Sequence, residues 1–359
     1  MASAWLSLIN SPIESFRSSA VQVNPIRRSK VRFEDIVTEV NFRIAFFKAA
    51  KGKRCRAAVR SYQSNLTDNI RRTVSALNTN SFRFGECHRF LIHDPKKRLI
   101  SAPRFEERVV HHAIMNHCES VFDRLLIFDS YASRVGKGRI AAVQRALKFS
   151  GQFPIAMKLD ARKYFESIEH DRLLFFLERR FKSTRLVELF RKIITSHNEA
   201  LGVGLPIGSL TSQHLANFYL GHLDRFTTEN LRVGAYVRYM DDIVIWGNNC
   251  ASMRAIEKEM RCFGTDVLGI ELKPAQVSNV SKGLDFLGAR IYPDHFELSP
   301  KNRRRIAKRF RVLCRYWRLG VLSDDELQRR LNSMISFSLA GGTKSWRFRS
   351  RMVDLDPGE

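Results

Sequence analysis

Close cysteine pairs are missing from this chain. Its six cysteines, Cys55, Cys87, Cys118, Cys250, Cys262 and Cys314, are scattered, and no CxxC occurs. That excludes the disulfide framework of a small secreted domain and the paired ligands of a zinc ribbon. It predicts reduced thiols and a cytoplasmic location. The first residues read as a poor secretory signal: no Lys or Arg precedes Arg17, and MASAWLSLINSPIESFRSS has no continuous apolar core. No apolar run reaches the roughly 20 residues of a membrane span, so a soluble protein with no membrane partner is expected. Internal repeats and low-complexity segments are also absent. Acidic residues are scarce: 36 Asp and Glu stand against 61 Lys and Arg in 359 residues, a net charge of +25. Such a surplus points to a polyanionic partner, most simply nucleic acid. With 44% hydrophobic and 11% aromatic residues, the chain is folded rather than a disordered basic tail.

Residues 1–30 read as an arm ending in the basic cluster Arg27, Arg28 and Lys30. FEDIVTEVNFRIAFFKAAKGKR (33–54) has apolar residues at helical spacing and predicts one helix closing near Gly52. A second helix is expected over 57–80. Strand-like residues follow at Phe82, Phe84, Phe90–Ile92 and Arg98–Ile100, with a turn at Asp94-Pro95. Helices are expected over 104–126 and, after Gly136-Lys137-Gly138, over 136–149. IAMKLD (155–160) reads as a strand, followed by a helix opened by Asp171. LPIGSLTS (205–212) is a loop leading into an amphipathic helix. Two strands, AYVRY and IVIWG, flank an acidic tip; 252–268 is helical, and Leu284–Tyr292 reads as one strand. SPKNRRRIAKRFRVLCRYWRLG (299–320) predicts a helix with Ser299 as N-cap and Pro300 in its first turn. Ser323-Asp324-Asp325-Glu326 is a capping box. The class is α+β with a helical C-terminal piece.

The chemistry concentrates at Asp241-Asp242. Adjacent carboxylates between two apolar strands repel each other unless a cation sits there, although an Asp-Asp pair in a solvated turn is common. A third acid, Asp160, stands at the carboxyl end of IAMKLD. Three carboxylates on strand ends suit a two-metal site that handles a phosphoryl group. His111, His112, His117 and Cys118 lack the spacing of a zinc site and read as packing and hydrogen-bonding groups on a helix.

These residues carry a resemblance. Tyr239-Met240-Asp241-Asp242 with its flanking strands resembles the YxDD box of reverse transcriptases, and KLDARKYFESIEHD (158–171) resembles their first palm motif. GLPIGSLTSQHLANFYLGHLD (204–224) is similar to the second motif, and LDFLGARI (284–291) to the primer-grip element. KKRLISAPRFEERVVHHAI (96–114) and DSYASRVGKG (129–138) resemble the fingers of the retron and group II intron branch. Within that branch, Ile207-Gly208-Ser209-Leu210-Thr211-Ser212-Gln213 is similar to the pattern of diversity-generating retroelement reverse transcriptases, where most relatives carry Gln before the Gly. KAAKGKRCR (48–56) and SFSLAGGTKSWRFR (336–349) sit where that family has comparable segments.

The resemblance implies a right-hand polymerase fold: fingers over 31–150, palm over 151–297, thumb over 298–350 and a tail over 351–359. It implies an RNA-directed DNA polymerase, bacterial or phage-encoded, that copies a template-repeat RNA into cDNA with errors at adenine. Its ligands would be two Mg²⁺, dNTPs, template RNA, primer and the RNA–DNA duplex, and a small oligomeric accessory protein its partner. Asp160, Asp241 and Asp242 become catalytic and metal-binding, with the Ala161 carbonyl a further oxygen. Phe165 matches a steric gate against a 2′-hydroxyl. Arg98 and Arg104 fall where fingers supply cations to the triphosphate, a role suited to the guanidinium fork. Ile207, Gly208 and Gln213 belong to the nucleotide-binding second motif. Ile207 offers only van der Waals contact where Gln could hydrogen-bond, which lowers discrimination. Lys301, Arg304, Lys308, Arg311 and Arg315 lie on one side of the 299–320 helix and would track a duplex backbone. A general acid is not assigned: Ala275 and Gln276 stand near the position where relatives often have Lys, and Lys273 comes early. Two alternatives stay open: a retron-type or antiphage-defence enzyme, and a non-catalytic, maturase-like RNA-binding protein.

Overall fold

The computed structural model describes residues 27–93, 97–196 and 202–339. Most of the arm expected over 1–30, most of SFSLAGGTKSWRFR and the tail expected over 351–359 lie outside the described residues. The chain divides into two units. One comprises the chain up to Ile127, Ala161–Leu231 and Lys258–Lys273; the other comprises Phe128–Asp160, Arg232–Glu257 and the chain from Pro274. The division falls within the helix Cys250–Asp266.

The first unit is mostly helical. The helix expected over 33–54 is broken: a turn, Phe33–Ile36, precedes Glu39–Ala50, because Thr38 leaves the helical region and its hydroxyl accepts from the Asn41 N–H at 3.2 Å. The helix expected over 57–80 likewise divides at Asn65 into Ala57–Ser64 and Leu66–Asn78. Helix Phe105–Asp123 runs through the centre, and Asn41, buried, donates to the carbonyls of Ile36 and Ala113 to fix Glu39–Ala50 against it. The rings of Phe122, Phe181, Phe190 and Phe218 pack together beneath helices His170–Arg180, Thr184–Thr195 and Leu210–Arg225. The basic cluster near residue 30 is tied down: Arg28 donates to the Glu178 and Phe181 carbonyls, each at 2.8 Å, and Ser29 bridges Phe181. Strands β1 (Cys87–His93) and β2 (Lys97–Pro103) form an antiparallel two-stranded ribbon, while Phe82 and Phe84 lie before it outside any strand.

The second unit is built on a four-stranded antiparallel sheet. Its strands are β3 (Ile155–Asp160), β4 (Tyr236–Tyr239), β5 (Asp242–Gly247) and β6 (Gln276–Asn279), in spatial order β4-β5-β3-β6. The apolar runs IAMKL and IVIW sit in its two central strands, where both faces are covered. Helix Arg139–Ser150 packs on the sheet through Ala142, Val143, Ala146 and Phe149, and Trp246 donates from its indole to the Ser150 hydroxyl at 3.0 Å. The segment expected as one strand over Leu284–Tyr292 is a hairpin. Strands β7 (Leu284–Phe286) and β8 (Ala289–Ile291) turn at Leu287 and Gly288, both at positive φ, as a tight two-residue turn between right-twisted strands requires. Strand β9 (Phe296–Leu298) completes that sheet. Helix Pro300–Arg318 follows, with the Ser299 hydroxyl accepting from the Asn302 N–H, and Asp324–Leu339 comes next. The six cysteines are free. Among the described residues no helix is long and apolar enough to cross a membrane.

Candidate active site

The three aspartates meet because of strand register. Asp160 ends β3 directly opposite Asp242, the first residue of β5, and Asp242 in turn faces Tyr239 at the end of β4. Met240 and Asp241 form the two-residue turn between β4 and β5, with Met240 in the left-handed region at φ +55°. That conformation costs a non-glycine residue energy unless its surroundings enforce it. Arg238 does so. It is 0% exposed within β4, and its guanidinium donates to the Met240 carbonyl at 3.0 Å. Its own backbone is clamped on both sides, N–H to the Asp129 carbonyl and carbonyl to the Tyr131 N–H, each at 2.9 Å.

The carboxylates feel one another. Burial, then the charges of Asp242 and Asp160 together with a hydrogen bond to Asp160, push the Asp241 carboxyl up to about 6. Asp242 turns toward Lys158, whose ammonium lies 3.3 Å from its Oδ1 and also donates to the Asp285 carbonyl on β7. Among the described residues, no group of three His, Cys, Asp or Glu side chains is disposed as a closed metal cage. Hard oxygen donors in a mutually repelling Asp160–Asp241 pair still suit Mg²⁺, which is ordinarily held through one or two carboxylates plus substrate phosphates.

In the first unit, a cavity of about 640 Å³ lies between the ribbon and helix Phe105–Asp123. It brings together Arg104, Gly208 and Gln213 with cations the sequence did not single out, Lys53, Arg56 and Arg108. These cations crowd one another. Burial first, then Arg108 and Arg56, lower the Lys53 ammonium below its ordinary value; burial and Arg56 do the same to Arg108. His112, also in the lining, is pushed down to about 4 by burial and then by Arg108. Arg104 pairs with Glu86 across an exposed contact. An anion with several oxygens fits such a wall. Arg98 is exposed on β2 opposite Ile92, and it is not among the lining residues. The Ile207 carbonyl accepts the Ser101 N–H at 2.8 Å, which lays the second-motif loop along β2. Phe165 is half-buried and packs edge-on against Tyr164, and its carbonyl accepts the Leu205 N–H at 2.7 Å. Ala161, buried, forms a bridge with Leu272.

Lys301, Arg304, Lys308, Arg311 and Arg315 are all exposed on helix Pro300–Arg318. On its other side Leu313 is buried and Ile306 packs against the core of the second unit. Trp317 donates to Asp324, so the first acid of the capping box also ties two helices together. Sequence reasoning passed over Arg238 and Lys158, because a lone cation in an apolar strand carries no spacing signal. Lys53 and Arg56 were readable only as part of a basic segment.

Residues 93–291 match the family model for reverse transcriptase (RNA-dependent DNA polymerase). The uncharacterized 91 kDa protein in the cob intron of Schizosaccharomyces pombe is 27% identical over 173 residues, 46% of this chain and 21% of that protein. The chain thus spans about a fifth of that relative. The retron Ec73 reverse transcriptase of Escherichia coli is 24% identical over 263 residues, 67% of this chain and 78% of that one. A solved apo telomerase from Candida tropicalis, truncated from its C-terminal domain, aligns with a TM-score of 0.47 and 13% identity over 60% of this chain and 55% of that one. The α+β class with an antiparallel sheet is that of the right-hand polymerase fold. The matched span takes in the whole four-stranded sheet with Asp160, Asp241 and Asp242, and it covers more than half of the sequence; this chain belongs to the reverse transcriptase (RNA-dependent DNA polymerase) family.

Proposed function

We propose that the protein is an RNA-directed DNA polymerase that extends a primer 3′-hydroxyl on an RNA template by nucleotidyl transfer from dNTPs. The observation that carries this reading is the convergence of Asp160, Asp241 and Asp242 on paired strands, with Asp241 held near 6 by burial and its neighbours. Such a cluster costs stability unless a divalent cation is taken up. Asp160 and Asp241 would hold it, with Asp242 alongside and the Ala161 carbonyl as a further oxygen. When bound, two Mg²⁺ ions supply Lewis-acid activation of the attacking hydroxyl and neutralise charge on the departing pyrophosphate. The protein's own groups bind and orient. Arg104, joined in the cavity by Lys53, Arg56 and Arg108, binds the triphosphate, and Arg98, outside that lining on β2, adds a further cation. Phe165 excludes a 2′-hydroxyl, and Gly208 and Gln213 seat the nucleotide. Lys301, Arg304, Lys308, Arg311 and Arg315 take phosphates of the RNA–DNA duplex. No covalent role falls to the protein, so catalysis is positioning and electrostatics. In this reading residues 31–150 act as fingers, 151–297 as palm and 298–350 as thumb.

The finer reading is a diversity-generating retroelement enzyme, copying a template-repeat RNA with adenine-directed errors beside a small oligomeric accessory protein. Ile207 supports it: its side chain is half-buried and apolar, and it offers a nascent base pair no hydrogen bond. A retron-type enzyme is the second reading, favoured by a match covering 78% of the Escherichia coli retron enzyme. Primer extension on RNA with dNTPs and Mg²⁺, followed by sequencing of the cDNA, tests both. Errors clustered opposite adenine, suppressed by Ile207→Gln, are expected for the first; accurate cDNA supports the second. No product even with cognate RNA and accessory protein would overturn the polymerase reading.

A further inference from the structure

A buried polar chain lies under the cavity of the first unit. The His111 imidazole lies with Nε2 3.2 Å from Glu107 Oε1, and Glu107 Oε2 accepts the Gly85 N–H, also at 3.2 Å. Across the ring, Nδ1 faces the Ser209 hydroxyl at 2.9 Å and the Thr211 hydroxyl at 2.7 Å, which are 3.0 Å from each other. All four side chains are buried. An ionised carboxylate only accepts, so with Glu107 ionised Nε2 donates to it, and a neutral ring then accepts at Nδ1 from a hydroxyl. In that tautomer the bonds run in one direction, hydroxyl to imidazole to carboxylate.

Where this chain ends is what gives it a purpose. Ser209 is the N-cap of helix Leu210–Arg225, a place where Ser normally accepts from the helix's own amides. Here its side chain makes no cap bond and is committed to His111 instead. Gly208, just before it, sits at φ +125°, and a Cβ there would lie 2.9 Å from both the Ser101 carbonyl oxygen and Ile100 Cγ2. With the Ser101 N–H on the Ile207 carbonyl, the segment Ile207–Ser209 is pinned from two sides, to β2 and to helix Phe105–Asp123. Gly208, Leu210 and Gln213 line the cavity immediately above.

We infer that Glu107, His111, Ser209 and Thr211 form a positioning device for nucleotide selection, setting the height of the Ile207–Gly208 floor on which an incoming dNTP is seated. None of the four is a catalytic residue; they act through the loop. The identity of the ligand rests on the polymerase reading.

The test is the double variant Ser209→Ala with Thr211→Val, which keeps side-chain volume nearly constant and leaves Nδ1 without a donor. An unsatisfied buried acceptor predicts a KM for dNTP about tenfold higher, with kcat within about twofold and unchanged primer–template affinity. Thr211→Ser, which keeps a hydroxyl, retains the wild-type KM. Thr73→Val is the stability control: it removes a buried hydroxyl that donates to the Asn69 carbonyl and Glu106, far from the loop in sequence. It should lower Tm as the double variant does while leaving KM alone. Side-chain ¹⁵N spectra should show His111 protonated at Nε2. An unchanged KM in the double variant, or His111 protonated at Nδ1, overturns the inference. Calorimetric binding of dGTP by the full chain separates the two readings. If the wild-type protein extends no primer yet binds dGTP and the double variant loses that binding, the positioning device stands and the polymerase reading falls. If the double variant polymerises and binds as wild type, the reverse holds.

Discussion

Each unit holds an antiparallel hairpin, β1–β2 in the first and β4–β5 in the second, and their environments are opposite. In β4–β5, Ile243, Val244 and Ile245 are wholly buried, a third strand pairs along one edge, and a buried arginine holds the turn. In β1–β2, Phe90, Leu91, Ile92 and Leu99 stay 38–49% exposed, and no further strand pairs with either edge among the described residues. An isolated two-stranded ribbon is marginal by itself, whereas a central strand covered on both faces is not. The difference matches what each carries. The carboxylates Asp241 and Asp242 sit on the buried hairpin, and the cations Arg98 and Arg104 sit on or beside the exposed one.

The contrast can be broken at the rigid hairpin. Asp241→Asn should abolish primer extension, by at least about a thousandfold, because it removes an oxygen donor from the ion site. It should also stabilise the metal-free protein by about 1 kcal/mol, since a carboxyl held near 6 costs folding energy at neutral pH. Mg²⁺ should raise the Tm of wild type and not of the variant. Arg238→Met should cost about 3–5 kcal/mol in urea denaturation, as it strips the Met240 carbonyl of a buried charged donor and leaves a misfit in β4.

At the ribbon the effects shrink. Arg104→Ala should raise the KM for dNTP about fivefold to tenfold by loss of a phosphate contact worth about 1–1.4 kcal/mol. Stability should change by less than about 1 kcal/mol, because its pairing with Glu86 is exposed. Leu99→Thr should move stability by no more than about 0.5 kcal/mol, a surface change at the exposed end of β2, where Leu99 is 38% exposed.

Acid sharpens the comparison without mutation. His112, His214 and His222 in the ribbon's unit are held neutral by burial, at about 4, about 4 and about 3. Unfolding returns each to about 6.5, so the unfolded state binds more protons and stability is lost as pH falls below about 6.5. Asp241 has the opposite sign: its folded value near 6 exceeds the unfolded one, so acidification from about 6 to 4 favours the folded hairpin. Hydrogen exchange at pH 5 against pH 7 should therefore show protection lost in Phe105–Asp123 and Leu210–Arg225 before β4 and β5.

Much of the fold was legible because its signals are local. IAMKLD and IVIWG are apolar runs of strand length, and both became central strands. Ser299-Pro300 opened a helix where the cap predicted. The expected long helix after Phe33 failed at Thr38, whose hydroxyl offered the backbone a competing bond, and the strand over Leu284–Tyr292 failed because Leu287-Gly288 adopts a turn that its composition did not announce. The three aspartates were singled out from motif and strand position alone. Their relation was not: nothing near Asp160 in sequence states that it will stand opposite Asp242.

The sequence by itself determined the positive charge surplus, the strand ends that carry acids and the cationic helix, because charge, apolar runs and caps act within a few residues of themselves. Only the tertiary structure decided that Arg238 is buried beneath a strained turn, that Lys158 answers Asp242, that Lys53 and Arg56 share a cavity with Arg104, and that Ser209 turns from its own helix to His111. Each of those depends on which distant segment comes to lie alongside. A polar group buried there must find its partner across the fold, and no periodicity along the chain records that requirement.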